Sequence, residues 1–304
     1  MRRTLLACVG LFLAAPGLAA QDPGVRPPTP APVAAAPTAS LRAGTPTQIT
    51  AHRTGSFNAV MPVRSPESSA TRWAELFQFD RDLTSWDYDL ETESFSLYVP
   101  ADYDPDGEPY DVLVWISPFD DGAIPEQLKT LMDERRLIWI SPNAAGNPRH
   151  LFPRSGLTLD AAANVAEYYN VDPERIFVSG LSGGGRMASL LAIDYPDVFA
   201  GAFPIIGVTS YMQIRLESTP GLFVPFFPPP PERSLDRAKR QPFVVMTGEN
   251  DYNREECRLT AEAHERDGFT NLHYIEIEGM GHEMPSPESF ARGLDLLLGS
   301  RRPD

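Results

Sequence analysis

Ser182 is the residue of this chain best placed to carry out covalent chemistry. It is the third residue of the segment 180–184, Gly-Leu-Ser-Gly-Gly, between a strand-like apolar run at 175–179 and a helix-compatible run at 185–192. A G-x-S-x-G sequence between a strand and a helix predicts a nucleophile elbow, a strained turn that exposes a serine hydroxyl beyond the sheet edge. The alternative is an ordinary glycine- and serine-rich loop, because a motif this short depends on its context.

A serine nucleophile needs a histidine as general base and a third group that orients the histidine. Three histidines follow Ser182. His264 lies in a polar helical pattern and is predicted to be solvent-exposed, whereas His273 begins an apolar run that predicts a strand. His282 lies in a glycine-rich loop directly after that run, from which it can reach the elbow. We therefore predict His282 as the base; the alternative is a histidine that stabilises its own turn.

The orienting acid is expected in a loop between the elbow and His282. Asp251 follows the strongly apolar run 243–247 and is predicted to accept a hydrogen bond from the imidazole. Glu249 is close enough in the chain to be a rival. An aspartate here could also serve only to form the turn, since Asx side chains bond to their own backbone.

Strand-like and helix-like segments alternate through the rest of the chain, after an N-terminal strand region at 54–108. Continuous apolar strands that alternate with helices predict one α/β domain, with a mostly parallel sheet and helices on both faces. Ligands bind beyond the carboxyl ends of such strands. The predicted strands are 112–117, 137–141, 175–179, 199–206, 243–247 and 273–277; the predicted helices are 125–136, 158–169, 255–266 and a last amphipathic helix after Pro287.

The order of serine, acid and histidine, together with the sequence around the elbow, resembles the α/β-hydrolases. Within that superfamily the chain is similar to a secreted esterase group that includes polyhydroxybutyrate depolymerase-like and feruloyl-esterase-like proteins. The resemblance is carried by residues 172–185 and 195–201 and by an opening strand near 96–104, and it extends over roughly 93–300. It implies the α/β-hydrolase fold and ester hydrolysis through Ser182, His282 and Asp251.

The segment after the strand at 112–117 departs from this family pattern. These hydrolases usually carry a His-Gly pair there, which supplies the second N–H of the oxyanion hole, but this chain has Pro118, and proline has no N–H. We predict Gly183 N–H as one donor and Phe119 N–H as the second, with Asp120 a poorer candidate. The departure keeps open a catalytically silent, hydrolase-like binding protein.

Three regions are expected along the chain. Residues 1–20 have two arginines, an apolar stretch and a small-residue end, which is typical of a secretory signal peptide. Residues 21–48 form a Pro/Ala-rich tract that is expected to be a disordered tether, and 49–304 form the hydrolase domain. The protein is therefore expected to be exported, to the periplasm or outside the cell. Lipidation at Cys8 is a minor alternative.

The insertion 211–241 is long for a loop in a compact domain, which is typical of lids and binding loops. Its apolar side chains could form a wall of the substrate pocket or could pack onto the domain's own surface. Asn143, at the end of another predicted strand, could line the site or only form a turn. The apolar residues in question are Leu222, Phe223, Phe226 and Phe227.

Composition excludes several classes of function. A net charge of −15 over 304 residues disfavours binding to nucleic acid or to anionic membranes. No metal-binding or nucleotide-binding motif occurs, so no metal and no cofactor are expected. Loss of a signal peptide with Cys8 would leave Cys257 alone, without a disulfide, and we interpret Cys257 as a packing residue.

The sequence thus predicts a serine esterase that acts on a small-molecule or polymeric ester through an acyl-enzyme, with a preference for short acyl chains. A peptidase with the same three residues is the nearest alternative, because the fold alone does not determine the substrate.

Overall fold

The computed structural model describes residues 47–76 and 87–299. The predicted signal peptide lies outside the described residues, as does the predicted tether except for its last two residues. Those two, Thr47–Gln48, form a short strand that pairs in parallel with Gly55–Val60. This pairing satisfies backbone groups of Thr47 and Gln48, and the division into signal peptide, tether and hydrolase domain stays a prediction.

Within the described residues, nine strands form one sheet in the order β1-β2-β3-β5-β4-β6-β7-β8-β9. β3 pairs antiparallel with β2 and with β5, and the other pairs are parallel. The strands are β1 (Thr47–Gln48), β2 (Gly55–Val60), β3 (Phe95–Val99), β4 (Tyr110–Ile116), β5 (Leu137–Pro142), β6 (Val171–Leu181), β7 (Ala202–Ile205), β8 (Phe243–Gly248) and β9 (Leu272–Ile277).

Helices cover both faces of the sheet, and each face has its own apolar core. Alternate residues of β4 contribute to the two cores, Val112 and Val114 to one and Leu113 and Trp115 to the other, as the pleat of a strand requires. The α-helices are α1 (Ala70–Leu76), α2 (Lys129–Glu134), α3 (Leu151–Tyr168), α4 (Gly183–Asp194), α5 (Glu232–Ala238), α6 (Arg254–Arg266) and α7 (Pro287–Leu298). The predicted α/β-hydrolase fold class is confirmed.

The helix predicted at 158–169 begins seven residues earlier than expected. His150 caps α3, and Pro153 lies in its first turn, where a proline is tolerated because that N–H has no intrahelical acceptor. The helix predicted at 125–136 is instead a 3₁₀ turn over Glu126–Leu128 followed by the short α2. None of the helices in the described ranges is long and apolar enough to cross a membrane.

The prediction that His264 is solvent-exposed is wrong. Its side chain is fully buried, stacked against the rings of Tyr211 and Phe269, and its Nε2 lies 3.0 Å from Ser210 Oγ. Tyr211 begins the insertion 211–241, which covers this face of α6, so the contact could not be read from the helix itself. Burial lowers the pKa of His264 to about 3, and the imidazole is neutral.

Cys257 lies one turn into α6 and is completely buried in the core that contains Val112 and Val114. Burial raises the pKa of its thiol, and a neutral, inaccessible thiol is a poor nucleophile. This agrees with the interpretation of Cys257 as a packing residue.

Candidate active site

The turn between β6 and α4 has a strained backbone. Ser182 has φ 55° and ψ −116°, outside the conformations that a non-glycine residue readily adopts. Gly184 allows α4 to begin directly above β4, since a methyl group added there would lie 1.8 Å from the carbonyl oxygen of Ile116. The glycines of the motif thus let the turn pass over the neighbouring strand with Ser182 at its apex.

Asp251 lies in the tight turn that follows β8, and its carboxylate is buried. Oδ2 accepts a hydrogen bond from Thr247 Oγ1 at 2.9 Å, and Oδ1 accepts one from Asn253 N–H at 3.0 Å. These donors fix the carboxylate and leave Oδ1 directed at the histidine loop. The rival carboxylate, Glu249, is exposed and accepts from Gly279 N–H instead.

His282 lies between the serine and the aspartate. Its Nδ1 is 2.8 Å from Asp251 Oδ1, and its Nε2 is 2.9 Å from Ser182 Oγ. An ionised carboxylate can only accept a hydrogen bond, so Nδ1 carries the proton and Nε2 is free to accept from the serine hydroxyl. The structure therefore brings together the three side chains that the sequence singled out.

Tyr252 is a neighbour of this cluster that the sequence analysis did not single out. Its ring stacks on the His282 imidazole with 4.0 Å between centroids and 23° between planes, and 73% of the residue is exposed. The only sequence signal was an aromatic residue directly after the acid.

The oxyanion side of Ser182, formed by Gly183 and the loops after β4 and β5, differs from the prediction. Gly183 opens α4, so its N–H has no acceptor within the helix and is available to a ligand. Phe119 N–H, however, already donates to Ser117 Oγ at 3.1 Å. A serine two residues before an N–H commonly closes such a turn, and this turn removes the predicted second donor from the site.

The acceptor atoms of Asp120, the poorer candidate, are engaged within the loops. Its Oδ1 accepts from Gly146 N–H at 3.1 Å, and its carbonyl accepts from Ala144 N–H at 2.9 Å. The residue joins the loop after β4 to the loop after β5.

Asn143 has the structural role that the sequence analysis left as its alternative. Its Oδ1 accepts from Ser96 Oγ at 2.8 Å and Gly122 N–H at 3.0 Å, and its Nδ2 donates to Ser94 Oγ at 3.1 Å. With each polar atom engaged in this way, the side chain joins β3 to the loops at the carboxyl edge.

The apolar residues of the insertion do not form one continuous wall. Phe227 is buried beside Tyr211 in the core that contains Val112 and Val114. This position corrects the prediction that Phe227 lines the substrate pocket. The ring of Phe223 lies beneath the Arg215 guanidinium, and Leu222 is exposed. The backbone of Phe226 forms a bridge with Ser210. The insertion covers α6, because the N–H groups of residues 217 and 218 donate to Glu255.

A strained serine at a strand-to-helix turn, with a histidine and a buried aspartate beyond later strands of a mostly parallel sheet, defines the α/β-hydrolase class. The fold of S-formylglutathione hydrolase from Staphylococcus aureus matches this chain with a TM-score of 0.51 at 15% identity, over 68% of this chain and 93% of that one. The chain therefore has the α/β-hydrolase fold, as the sequence resemblance implied.

Sequence comparisons find similarity to a peptidase family and to polyester depolymerases. The Prolyl oligopeptidase family model matches residues 158–295. Poly(3-hydroxyalkanoate) depolymerase C of Paucimonas lemoignei is 50% identical over 44 residues, 14% of this chain and 11% of the relative. Poly(3-hydroxybutyrate) depolymerase of Ralstonia pickettii is 31% identical over 88 residues, 24% of this chain and 18% of the relative. The chain thus matches less than a fifth of the length of either depolymerase.

Proposed function

We propose that the chain is a serine hydrolase that cleaves carboxylic esters through an acyl-enzyme. The observation that carries the proposal is the continuous contact from Asp251 Oδ1 through His282 to Ser182 Oγ, at 2.8 and 2.9 Å. The match to two depolymerases, whose names denote the cleavage of polyesters, supports an ester as the substrate.

The geometry supports the following sequence of steps. Ser182 Oγ attacks the acyl carbon while His282 Nε2 accepts the hydroxyl proton, and Asp251 stabilises the resulting imidazolium. His282 then protonates the departing alkoxide, which leaves an acyl group on Ser182. Water, deprotonated by the same imidazole, attacks the acyl carbon and regenerates the free serine.

Labelling with a fluorophosphonate probe tests this proposal. The wild-type protein is expected to form a covalent adduct and to hydrolyse p-nitrophenyl esters, short acyl chains faster than long ones. Ser182→Ala is expected to do neither, whereas Ser189→Ala, within α4 and with its hydroxyl donating to Gly185 O at 2.9 Å, is expected to behave as wild type. A folded wild-type protein that forms no adduct would instead be a silent binding protein.

A polymeric ester is the substrate class that the surface around Ser182 supports. Phe119 follows β4 and Tyr252 follows β8, on either side of the strand that leads to the elbow, and they are 71% and 73% exposed. Exposed aromatic rings beside a reactive group are suited to contact an apolar surface. Phe119→Ser is expected to slow the release of acid from a polyester film and to leave the hydrolysis of p-nitrophenyl acetate unchanged; equal effects on both substrates would contradict this.

A peptidase is the second candidate, and the match to the Prolyl oligopeptidase family over residues 158–295 favours it. Assays of one enzyme preparation with a p-nitrophenyl ester and with aminoacyl and dipeptidyl p-nitroanilides distinguish the two. A kcat/KM for any of these anilides above that for the ester would favour the peptidase.

Export of the protein is also proposed, on the pattern of residues 1–20. Fractionation of cells that express the full chain, with N-terminal sequencing of the product, tests this. A product that stays in the cytoplasm with residues 1–20 intact would contradict it.

A further inference from the structure

On the oxyanion side of the site, the predicted second donor, Phe119 N–H, is bonded to another group. Attack on the ester carbonyl places a negative charge on its oxygen, and removal of one of the donors that bind this oxyanion typically lowers kcat by about 10²–10³. Gly183 N–H can supply one donor, but the N–H of Phe119 is bonded to Ser117 Oγ. A different group beside Gly183 is therefore a candidate for the second donor.

We propose that the side-chain carboxamide of Asn147 is that second donor, so that a side chain replaces the backbone N–H of the loop after β4. This inference rests on the proposed ester hydrolysis and adds a catalytic residue to it. Its basis is the position of Asn147, the freedom of its carboxamide and the rigidity of the loop that holds it.

The carboxamide of Asn147 lies directly beside Gly183. A methyl group added at Gly183 would lie 2.0 Å from Asn147 Oδ1 and 2.9 Å from Nδ2, closer than to any other group. On its other side, Asn147 N–H donates to Pro118 O at 2.9 Å. The side chain thus bridges the gap between the loop after β4 and the start of α4, where the second donor is needed.

The polar atoms of this carboxamide are free to act on a ligand. In the part of the chain that the structure describes, no hydrogen bond engages the Asn147 side chain, and the residue is exposed. Asn143, four residues earlier, differs because its carboxamide is bonded at both ends. Rotation about the Cβ–Cγ bond of Asn147 exchanges Oδ1 and Nδ2, so an N–H can be directed at an oxyanion beside Gly183.

The loop that holds Asn147 is fixed to the loop after β4. Gly146 makes this close approach possible, since a methyl group added there would lie 2.8 Å from the carbonyl carbon of Phe119. The buried guanidinium of Arg154 connects the same loops, with Nε donating to Ala145 O at 2.7 Å and Nη2 to Ser117 O at 3.4 Å. A donor held in this way needs little reorganisation as charge develops, which is the condition for effective oxyanion stabilisation.

The Asn147 carboxamide keeps its own protons throughout the proposed step. As the bond from Ser182 Oγ to the acyl carbon forms, the π electron pair of the carbonyl moves onto its oxygen. That oxygen then accepts hydrogen bonds from Gly183 N–H and Asn147 Nδ2–H. When the tetrahedral intermediate collapses, the C=O bond re-forms and the alkoxide leaves with the proton from His282.

The first test is the variant Asn147→Ala, assayed with p-nitrophenyl acetate. We expect kcat to fall by about 10²–10³ with KM within about threefold of wild type, because the lost interaction is made only in the transition state. Inhibition by a trifluoromethyl ketone, which forms the same oxyanion, is expected to weaken in parallel with kcat/KM. Asn147→Asp, nearly isosteric but without an N–H donor, is expected to lose at least as much. Asn271→Ala, at the amino end of β9, is the matched control.

The second test is a double-mutant cycle with Gly183→Ala. The new methyl group would displace the Asn147 carboxamide, so Gly183→Ala alone is expected to lower kcat substantially. In the Asn147→Ala background the same change is expected to lower kcat by less than about threefold, because the group it displaces is already gone.

Two results would overturn the inference and are distinguishable from each other. If the wild type hydrolyses esters but Asn147→Ala, with an unchanged melting temperature, retains more than about a third of kcat, the inference fails and the proposed function stands. If the wild type forms no fluorophosphonate adduct and hydrolyses no ester, the proposed function fails and the inference fails with it.

Discussion

The two sides of Ser182 are built in different ways. On the acid–base side, Asp251 and His282 each lie directly after a strand, and the two loops are joined by the hydrogen bond from Asn250 N–H to Met280 O at 2.9 Å. On the oxyanion side, the loops after β4 and β5 are connected by Asp120 and Arg154. The acid–base side thus follows from strand ends, whereas the oxyanion side depends on contacts between two irregular loops.

This difference is consistent with an acid–base side that has the contacts expected from the sequence and an oxyanion side on which the predicted second donor is bonded elsewhere. Groups that follow parallel strands meet at one sheet edge whatever the loops contain. A donor carried by a loop can be replaced by another group that reaches the same point. Variants on the two sides should therefore differ in the size of their effects.

The largest expected effect is on the acid–base side, in Asp251→Asn. An amide at this position can donate to His282 Nδ1 and so favours the wrong tautomer, and kcat is expected to fall by about 10⁴. Steady-state kinetics with p-nitrophenyl acetate measures this. Glu249→Gln is the matched control and is expected to stay within twofold of wild type; a larger loss in that control would make Glu249 the orienting acid.

Arg154→Met tests the oxyanion side and is expected to have the second largest effect. Methionine fills much of the buried space but releases Ala145 O and Ser117 O, so the Asn147 loop shifts; a misplacement of about 1 Å can lower kcat about 10²-fold. Burial lowers the pKa of Arg154 to about 10, so the guanidinium remains charged at neutral pH.

The readouts for Arg154→Met are kcat and the melting temperature. Arg258→Met, which removes only ion pairs at the surface of α6, is the control. A wild-type kcat in Arg154→Met would show that the oxyanion side does not need this connection, and the contrast between the two sides would be lost.

The burial of His264 is expected to make the stability of the protein depend on pH. His264 lies on α6, the helix that follows the Asp251 turn. Its pKa of about 3 in the folded protein lies below the ordinary value of 6.5, so between these pH values the unfolded chain binds a proton that the folded chain does not. Stability from the neutral imidazole is full above pH 6.5 and is lost as the pH falls toward 3, by about 1.4 kcal/mol per pH unit.

Urea unfolding of wild type and His264→Phe between pH 7 and 4 measures this effect. As the pH is lowered, the free energy of unfolding is expected to fall less steeply in the variant than in wild type. The two slopes are expected to differ by about 1.4 kcal/mol per pH unit. The nearby charges are Asp267, which raises the pKa of His264, and Lys239, which lowers it. Equal slopes in the two proteins would mean that His264 is protonated in the folded state.

The smallest expected effect is that of Tyr252→Ala. The stacked ring restricts the His282 imidazole, and such pairs contribute about 0.5–1.5 kcal/mol, so kcat/KM is expected to fall between about twofold and tenfold. Tyr252→Phe keeps the ring and is expected to retain most of the activity. A larger loss in Tyr252→Phe than in Tyr252→Ala would assign the role to the hydroxyl instead.

The sequence predicted what depends on local pattern and chain order. The elbow, the acid turn after β8 and the histidine loop after β9 each follow an apolar strand, and the order of the three restricts their partners to a few residues. The sequence could not give the burial of His264 or the core position of Phe227, because both depend on how the insertion 211–241 folds back over α6.

The sequence predicted Gly183 on the oxyanion side, but the state of the second donor was beyond a reading of the sequence. Phe119 stands at the expected position after β4, but whether its N–H is free depends on the rotamer of Ser117. The carboxamide of Asn147 comes beside Gly183 only because Gly146 lets two loops touch. No spacing along the chain encodes that contact.

The φ of 55° at Ser182 sets catalysis against thermodynamic stability at one position. Glycine adopts this backbone conformation without the steric penalty that a side chain incurs there. The chain with glycine at 182 should therefore be inert and yet melt at a higher temperature than the natural protein. Selection for resistance to heat alone would favour glycine here, and the proposed ester hydrolysis would account for a strained serine at this position.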